Sequence, residues 1–427
     1  MKVLVIGSGG REHALAWKLA SSPRVTDLVV APGNAGTAQI ADNVAVDPMN
    51  FAAVEKLVRS FGAQFVVIGP EEPLAAGLAD HIRAMKVPVF GPGKAAAQLE
   101  ADKWFAKELM RHQAIPTAEA RAFTDPRAAE EYVRHHEGPL VVKAAGLAKG
   151  KGVTVCERTA DALEAIDRAM RRKVFGSAGA RIIIEEKLTG PECSILAFVD
   201  SSSIYIMESS QDHKAVDDGD TGPMTGGMGA YSPTPVVTEE MMRQIERQIL
   251  VPVVDGLRRE EIDYSGVLYA GLMITPKGPK VLEFNCRFGD PETQPLMMRL
   301  TSDLLEVMLA VTENRLDRVT LKWDPRPALA VVAASGGYPG KYVTGLPISG
   351  IEQADSIPDV KVFHAGTKLV DGKPVTDGGR VLAVTALGTS IADAQRRAYQ
   401  ALGHIHFEGM HYRKDIGHWA VDLHGPT

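Results

Sequence analysis

The sequence predicts a multidomain protein of α/β and α+β class, and three observations carry that expectation. Its 427 residues, at roughly 150 per domain, suggest about three cores. The first hundred residues alternate short apolar runs with helically spaced segments, the pattern of a parallel sheet covered by helices. Further along, strands pair across short loops, and beyond Asp324-Pro325-Arg326-Pro327 short strands are divided by glycine turns.

In the first segment Val3–Ile6, Leu28–Val30, Phe65–Ile68 and Val87–Phe90 read as buried strands, with helices over Arg11–Ala20 and Phe51–Phe61. Each strand runs into a glycine turn: Gly7-Ser8-Gly9-Gly10, Pro32–Gly36, Gly69–Pro73 and Gly91-Pro92-Gly93. Open α/β sheets bind ligands beyond the carboxyl ends of their strands, where all four turns belong. This is a Rossmann-like pattern, but a nicotinamide site is disfavoured. The dinucleotide fingerprint needs a third glycine where Glu12 stands, and an acidic residue where Pro32-Gly33 stands. A glycine turn opening a helix still favours an anion such as phosphate; a tight turn without a ligand is the alternative.

A helix carrying Leu99, Trp104, Phe105, Leu109 and Met110 is expected to end before Ile115-Pro116. Strands follow at Pro139–Lys143, Val153–Cys156 and Ile182–Glu186, with a helix at Thr159–Arg172. The loop Gly146-Leu147-Ala148-Lys149-Gly150-Lys151-Gly152 lacks the final Ser/Thr of a P-loop and precedes a strand, so it reads as a hairpin loop able to close over phosphates. Lys143 ends an apolar strand run and must reach water or an anion.

Longer strands are expected at Ser194–Val199, Ile204–Glu208, Val267–Ile274 and Lys280–Phe284, with helices near Glu239–Arg259, Asp303–Glu313 and Ser390–Gly403. Strand alternation puts Glu283 and Asn285 on one face, beside Arg287, Asp290 and Glu292. Two oxygen donors so placed suit Mg²⁺ bridging nucleotide phosphates; a solvated strand end with surface ion pairs is the alternative. Ser209–Lys214 and Gly222–Pro233 are polar or glycine-rich, with few core residues, and read as a substrate loop. His404, His406, His411, His418 and His424 match no metal-binding spacing.

Composition excludes other classes. With 47 basic and 53 acidic side chains the net charge is −6, which argues against nucleic-acid or membrane partners. Three distant cysteines without a C-x-x-C pair exclude a disulfide framework and fit a reducing cytosol. No apolar run approaches the ~20 residues of a spanning helix. A cytoplasmic protein with small-molecule partners, and a monomer, is expected. Of the 41 glycines, fifteen lie in turns at 7–10, 33–36, 69, 91–93, 146–152 and 222–229.

Several longer strings share one resemblance. They are Val5-Ile6-Gly7-Ser8-Gly9-Gly10-Arg11-Glu12-His13-Ala14, Ala31-Pro32-Gly33-Asn34-Ala35-Gly36-Thr37, Gly226-Gly227-Met228-Gly229-Ala230-Tyr231-Ser232-Pro233 and Glu283–Gln294. Together with the Gly-Lys loop they resemble the phosphoribosylamine–glycine ligase family (glycinamide ribonucleotide synthetases) of the ATP-grasp superfamily, over essentially the whole chain.

The resemblance implies an N-terminal Rossmann-like substrate-binding domain over 1–100 and an ATP-grasp domain over 101–322. The latter would divide into a lid-like subdomain, 115–190, and a catalytic one, 191–322, before a small, mostly β domain over 323–427. It implies ATP-dependent ligation of glycine to 5-phosphoribosylamine through glycyl phosphate, in purine biosynthesis. Lys103, Lys143, Gly146, Gly150, Lys151, Gly152, Glu185, Glu186, Leu188 and Glu192 would hold ATP, and Glu283 and Asn285 would hold Mg²⁺ or Mn²⁺. Arg287, Asp290 and Lys143 would be catalytic. Gly9, Gly10, Arg11, Asn34, Gly69, Pro70 and Glu71 would receive the phosphoribosyl group, with Asp212, Asp290 and Glu292 as glycine candidates. The chain departs from the family at Ala145, usually Asp, and Met224, usually Asn; residue 224 is given no role. Another ATP-grasp carboxylate–amine ligase would keep Lys143, Glu283 and Asn285 but change the acceptor. A non-catalytic nucleotide-binding protein would have no need of that pair with Arg287.

Overall fold

The computed structural model describes residues 1–148 and 151–422. The N-terminal sheet is parallel throughout, in the order Asp42–Asn43, Asp27–Pro32, Lys2–Gly7, Phe65–Ile68, Val89–Phe90. Its central strand is buried on both faces: Val3 and Val5 point into one core with Leu15 and Leu19, Leu4 and Ile6 into another with Val54 and Leu78. The expected strand at Val87–Phe90 is shortened at its start, where Pro88 has no N–H to give a ladder. The helix Phe51–Phe61 has the predicted bounds, capped by Asn50 Oδ1 on Ala53 N–H and closed by left-handed Gly62.

The single helix expected to run up to Ile115 is instead two, Lys94–Ala101 and Lys103–His112. Asp102 breaks it: its backbone is extended, and its carboxylate accepts hydrogen bonds from Trp104 and Phe105 N–H at 2.9 and 3.3 Å. The break makes Lys103 the first residue of the new helix.

Two antiparallel sheets follow. The smaller has the order Ala120–Phe123, Ile182–Glu186, Leu140–Ala144, Val153–Cys156. The larger has the order Ile204–Ile206, Glu192–Val199, Gly266–Thr275, Gly278–Asn285. In the last strand Leu282 is an extra residue, a bulge that shifts the register between Gly271 and Leu272. The expected helices at 159–172 and 239–259 each contain a wide π turn, at Asp167–Arg171 and Glu246–Leu250.

The third large sheet has the order Gln211–Asp212, Gly229–Ser232, Ala328–Ala334, Arg380–Leu387, Val360–His364. Here the stretch read as a substrate loop with few core residues is corrected. Gly229–Ser232 is a wholly buried strand, and Met228 and Tyr231 sit in the C-terminal core. Its glycines and polar residues masked a central strand position. Among the described residues no helix is long and apolar enough to cross a membrane.

Candidate active site

A cavity of about 530 Å³ opens where the three large sheets and the small one converge. Its walls bring together Lys103, Lys143, Gly152, Glu185, Glu186, Leu188, Glu192, Asp212, Glu283, Asn285, Arg287, Asp290, Glu292, Arg11 and Glu71. Five predicted residues, Gly9, Gly10, Asn34, Gly69 and Pro70, do not line it, nor do Gly146 and Lys151. Gly150 lies outside the described residues.

At one end the strand Leu140–Ala144 delivers Lys143. Its Nζ sits 2.8 Å from Glu185 Oε2 and donates to the Leu282 carbonyl at 3.0 Å, a group that stands at the bulge. The other oxygen of Glu185 pairs with Lys107 Nζ at 3.1 Å, so one buried carboxylate joins two lysines. Burial pulls the Lys107 ammonium down to about 8, against the attraction of Glu185. Glu185 was expected to hold ATP, and its side chain is engaged with these lysines; it and Leu188 line the same cavity. Lys107 was missed by sequence reading. The available signal was a lysine on the face shared by Lys103, Ala106 and Met110.

In the middle, burial would raise the Glu283 carboxyl, yet the charges of Lys214, Lys103, Lys143 and Arg287 hold it below its usual range. Asn285 Oδ1 lies two residues along the same strand and accepts from Arg287 Nη2 at 3.2 Å. An ionised carboxylate and an amide oxygen facing a cavity fit a hard divalent cation that takes its remaining ligands from phosphates and water. Among the described residues no group of three or more His, Cys, Asp or Glu is placed to hold a metal ion.

The other end is built on arginines. Arg287 meets Glu100 at 2.9 Å and Glu71 at 3.3 Å, and Arg11 lies 3.8 Å from the same Glu71 oxygen. Burial alone would raise the Glu71 carboxyl; Arg287 and Arg11 hold it at about 2. The guanidinium of Arg287 is therefore already clasped by two carboxylates, not free. Burial pushes Asp212 up to about 7 despite Lys214 at 3.1 Å, while Glu292 accepts from Tyr269 Oη at 2.5 Å and Ser194 Oγ at 3.1 Å.

The first glycine turn is corrected. Glu12 Oε2 accepts the Gly9 N–H at 2.7 Å, and Oε1 pairs with Arg11 Nε at 2.6 Å. Its carboxylate thus caps the Gly9 N–H at the turn where a phosphate was expected. Gly7, at φ +130°, and Gly69 are glycines because any Cβ there would meet the Glu12 side chain. Asn34 is likewise engaged internally: Nδ2 donates to Ser8 and His364 carbonyls at 2.8 and 2.9 Å, and Oδ1 accepts from Gly36 and Thr37 N–H. Its side chain keeps no polar group for a ligand. In the loop, Lys151 Nζ donates to the Pro339 carbonyl at 3.2 Å instead of facing the cavity.

Comparison with known proteins matches three family models along the chain. They are phosphoribosylglycinamide synthetase, N domain, over residues 1–100; its ATP-grasp (A) domain over 101–293; and its C domain over 328–419. A phosphoribosylamine–glycine ligase of Rhodopirellula baltica is 53% identical over 426 residues, covering 98% of each chain. That of Vibrio cholerae is 50% identical over 424 residues, covering 99% of each. Among solved structures, phosphoribosylamine–glycine ligase from Thermotoga maritima is similar at TM-score 0.84 and 31% identity, covering 98% of this chain and 100% of that one. The biotin carboxylase domain of Hydrogenobacter thermophilus 2-oxoglutarate carboxylase shares the fold alone, at TM-score 0.74 and 16% identity over 96% of this chain and 91% of that one.

Proposed function

The chain belongs to the phosphoribosylglycinamide synthetase family, and from that membership we propose how its own residues share the work. The protein is an ATP-dependent ligase of purine biosynthesis that joins glycine to 5-phosphoribosylamine. A carboxylate is a poor acyl donor, so a glycine oxygen first attacks the γ-phosphorus of ATP as the bond to ADP breaks. The ribosylamine nitrogen then attacks the acyl carbon of glycyl phosphate. Phosphate leaves with the bonding pair, and the nitrogen loses a proton to it or to water. Such chemistry depends on position and on neutralised charge.

Lys143 and Lys103 meet the phosphates, with Gly152 beside them. Glu186 and Leu188 flank the base, and Glu192 the ribose. Glu283 and Asn285 would hold Mg²⁺ or Mn²⁺, which when bound supplies charge that bridges and neutralises the phosphates. Arg287 opposes negative charge on the acyl phosphate. Asp290 and Arg11 lie toward the acceptor, and Asp212 and Glu292 toward the glycine ammonium. The observation that carries this reading is the convergence on one cavity of Lys103 from a helix, Lys143 from one strand, and Glu283, Asn285 and Arg287 from the end of another.

The test is ADP release from ATP and Mg²⁺ in the presence of glycine and freshly made phosphoribosylamine. Release that depends on both co-substrates is expected; release indifferent to either overturns the reading. In the same assay Glu283→Gln lowers turnover by about 100-fold or more, while its thermal midpoint stays within about 4 °C. Equal losses in both would make Glu283 a structural residue.

A further inference from the structure

One cation beside the cavity takes no part in the proposed chemistry. Arg380 opens the strand Arg380–Leu387 of the C-terminal sheet, far in sequence from every residue that lines the cavity. A register shift at its pairing with Ala334 makes Val381 the extra residue at the start of that strand. The Arg380 side chain is only 22% exposed. Its Nη1 donates to the carbonyls of Asp290 at 2.6 Å, Gly226 at 3.0 Å and Gly227 at 3.3 Å, and its Nη2 lies 3.6 Å from Asp290 Oδ2.

The guanidinium crowds Gly226, where a Cβ would come 3.0 Å from Cζ. A second C-terminal group joins it: Tyr338 Oη accepts the Gly226 N–H at 3.2 Å. Two of the Arg380 contacts, at Gly226 and Asp290, fall on segments that wall the cavity, and the third is at Gly227 next to the first. Neither segment has a helix or ladder to set its backbone at these points, since Gly226, Gly227 and Asp290 lie outside regular elements. A planar donor fork is well suited to hold several carbonyls at once, and a lysine would supply fewer directed bonds.

We infer that Arg380 is a positioning residue of the ligase reaction, through which the C-terminal domain fixes the Met224–Gly227 loop against Asp290 at the acyl-transfer end of the cavity. It touches no reacting atom; it acts through the walls it joins. The inference rests on the reading of Asp290 and that loop as part of the reaction site. All its contacts lie on this side, away from Lys103, Lys107 and Glu185, so nucleotide binding is spared when it is removed.

The test combines steady-state kinetics with ADP binding for Arg380→Met, Arg380→Lys and Asp290→Asn, and for the Arg380→Met/Asp290→Asn double variant. Arg380→Met is expected to lower kcat at least tenfold and leave the Kd for MgADP within twofold. Arg380→Lys should recover part of that loss. The double variant should be no slower than Asp290→Asn. Turnover within twofold of the parent in Arg380→Met overturns the inference, and so does a loss of ADP affinity matching the loss of turnover. If Arg380→Met does not fold, Arg380→Lys decides: full turnover there overturns it, and a kcat loss with unchanged ADP affinity supports it. Full activity in Asp290→Asn alone would overturn the reading of Asp290, and the single Arg380 variants would still judge the loop.

Discussion

Glu185 shows how a single residue can set the poise of a binding site. Its carboxylate is divided between Lys107 and Lys143, and only Lys143 is credited with a phosphate. Removing Lys107 leaves the whole carboxylate to Lys143 and holds that ammonium more tightly against the protein. Lys107→Met is therefore expected to raise the KM for ATP by about tenfold, which corresponds to ~1.4 kcal/mol, with the KM for glycine unchanged in the same titration. At this scale the sequence announced the charged side chains but not their pairings. Lys143 stood out because it ended an apolar run, and Glu283 with Asn285 because strand alternation put them on one face. Glu12 was noticed only as a missing glycine. That it would fold back onto Gly9 N–H depends on a rotamer that no spacing encodes.

At the scale of elements, the regular patterns were legible where one periodicity ran without interruption. Phe51–Phe61, Val153–Cys156 and Ile182–Glu186 have the expected bounds. The reading failed where two signals competed. Helical spacing runs through residues 99–110, and Asp102, a favourable helix cap, overrode it. Gly229–Ser232 carries turn-forming composition, yet tertiary pairing made it a buried strand. The break at Asp102 matters because it aims Lys103. Asp102→Ala is expected to lower stability by about 1 kcal/mol, measured by urea unfolding, and to raise the KM for ATP as Lys103 loses its place at the start of a helix.

For the whole molecule, the N- and C-terminal regions are locked together through buried imidazoles. The His13 ring accepts the His364 N–H at Nδ1 (2.8 Å), and the His364 ring lies 3.1 Å from Thr367 Oγ1. Burial, helped by Lys361 and opposed by Asp355, lowers His364 to about 4, and burial also lowers His13. Both rings are therefore neutral in the fold and take up protons more readily once unfolded. Stability attached to them is complete above about pH 6.5, the ordinary histidine value, and is lost as the pH falls toward 4. For His364 alone this is on the order of 3 kcal/mol. Thermal midpoints measured from pH 8 to 5 should fall, and His364→Gln should flatten the fall. Contacts of this kind were beyond sequence reading, because His364 joins Asn34 across 330 residues and Arg380 joins Gly226 across 154.

The sheet shared by Gly229–Ser232 and the C-terminal strands also bears on how the protein is made. As the chain leaves the ribosome, Gly229–Ser232 emerges about a hundred residues before its partner Ala328–Val331, and the guanidinium that clasps its neighbouring loop comes later still. The wall near Asp290, held by Arg380, therefore has to wait for the last quarter of translation. Until then Gly229–Ser232 lacks its partner along one edge, and an open strand edge invites association with other copies.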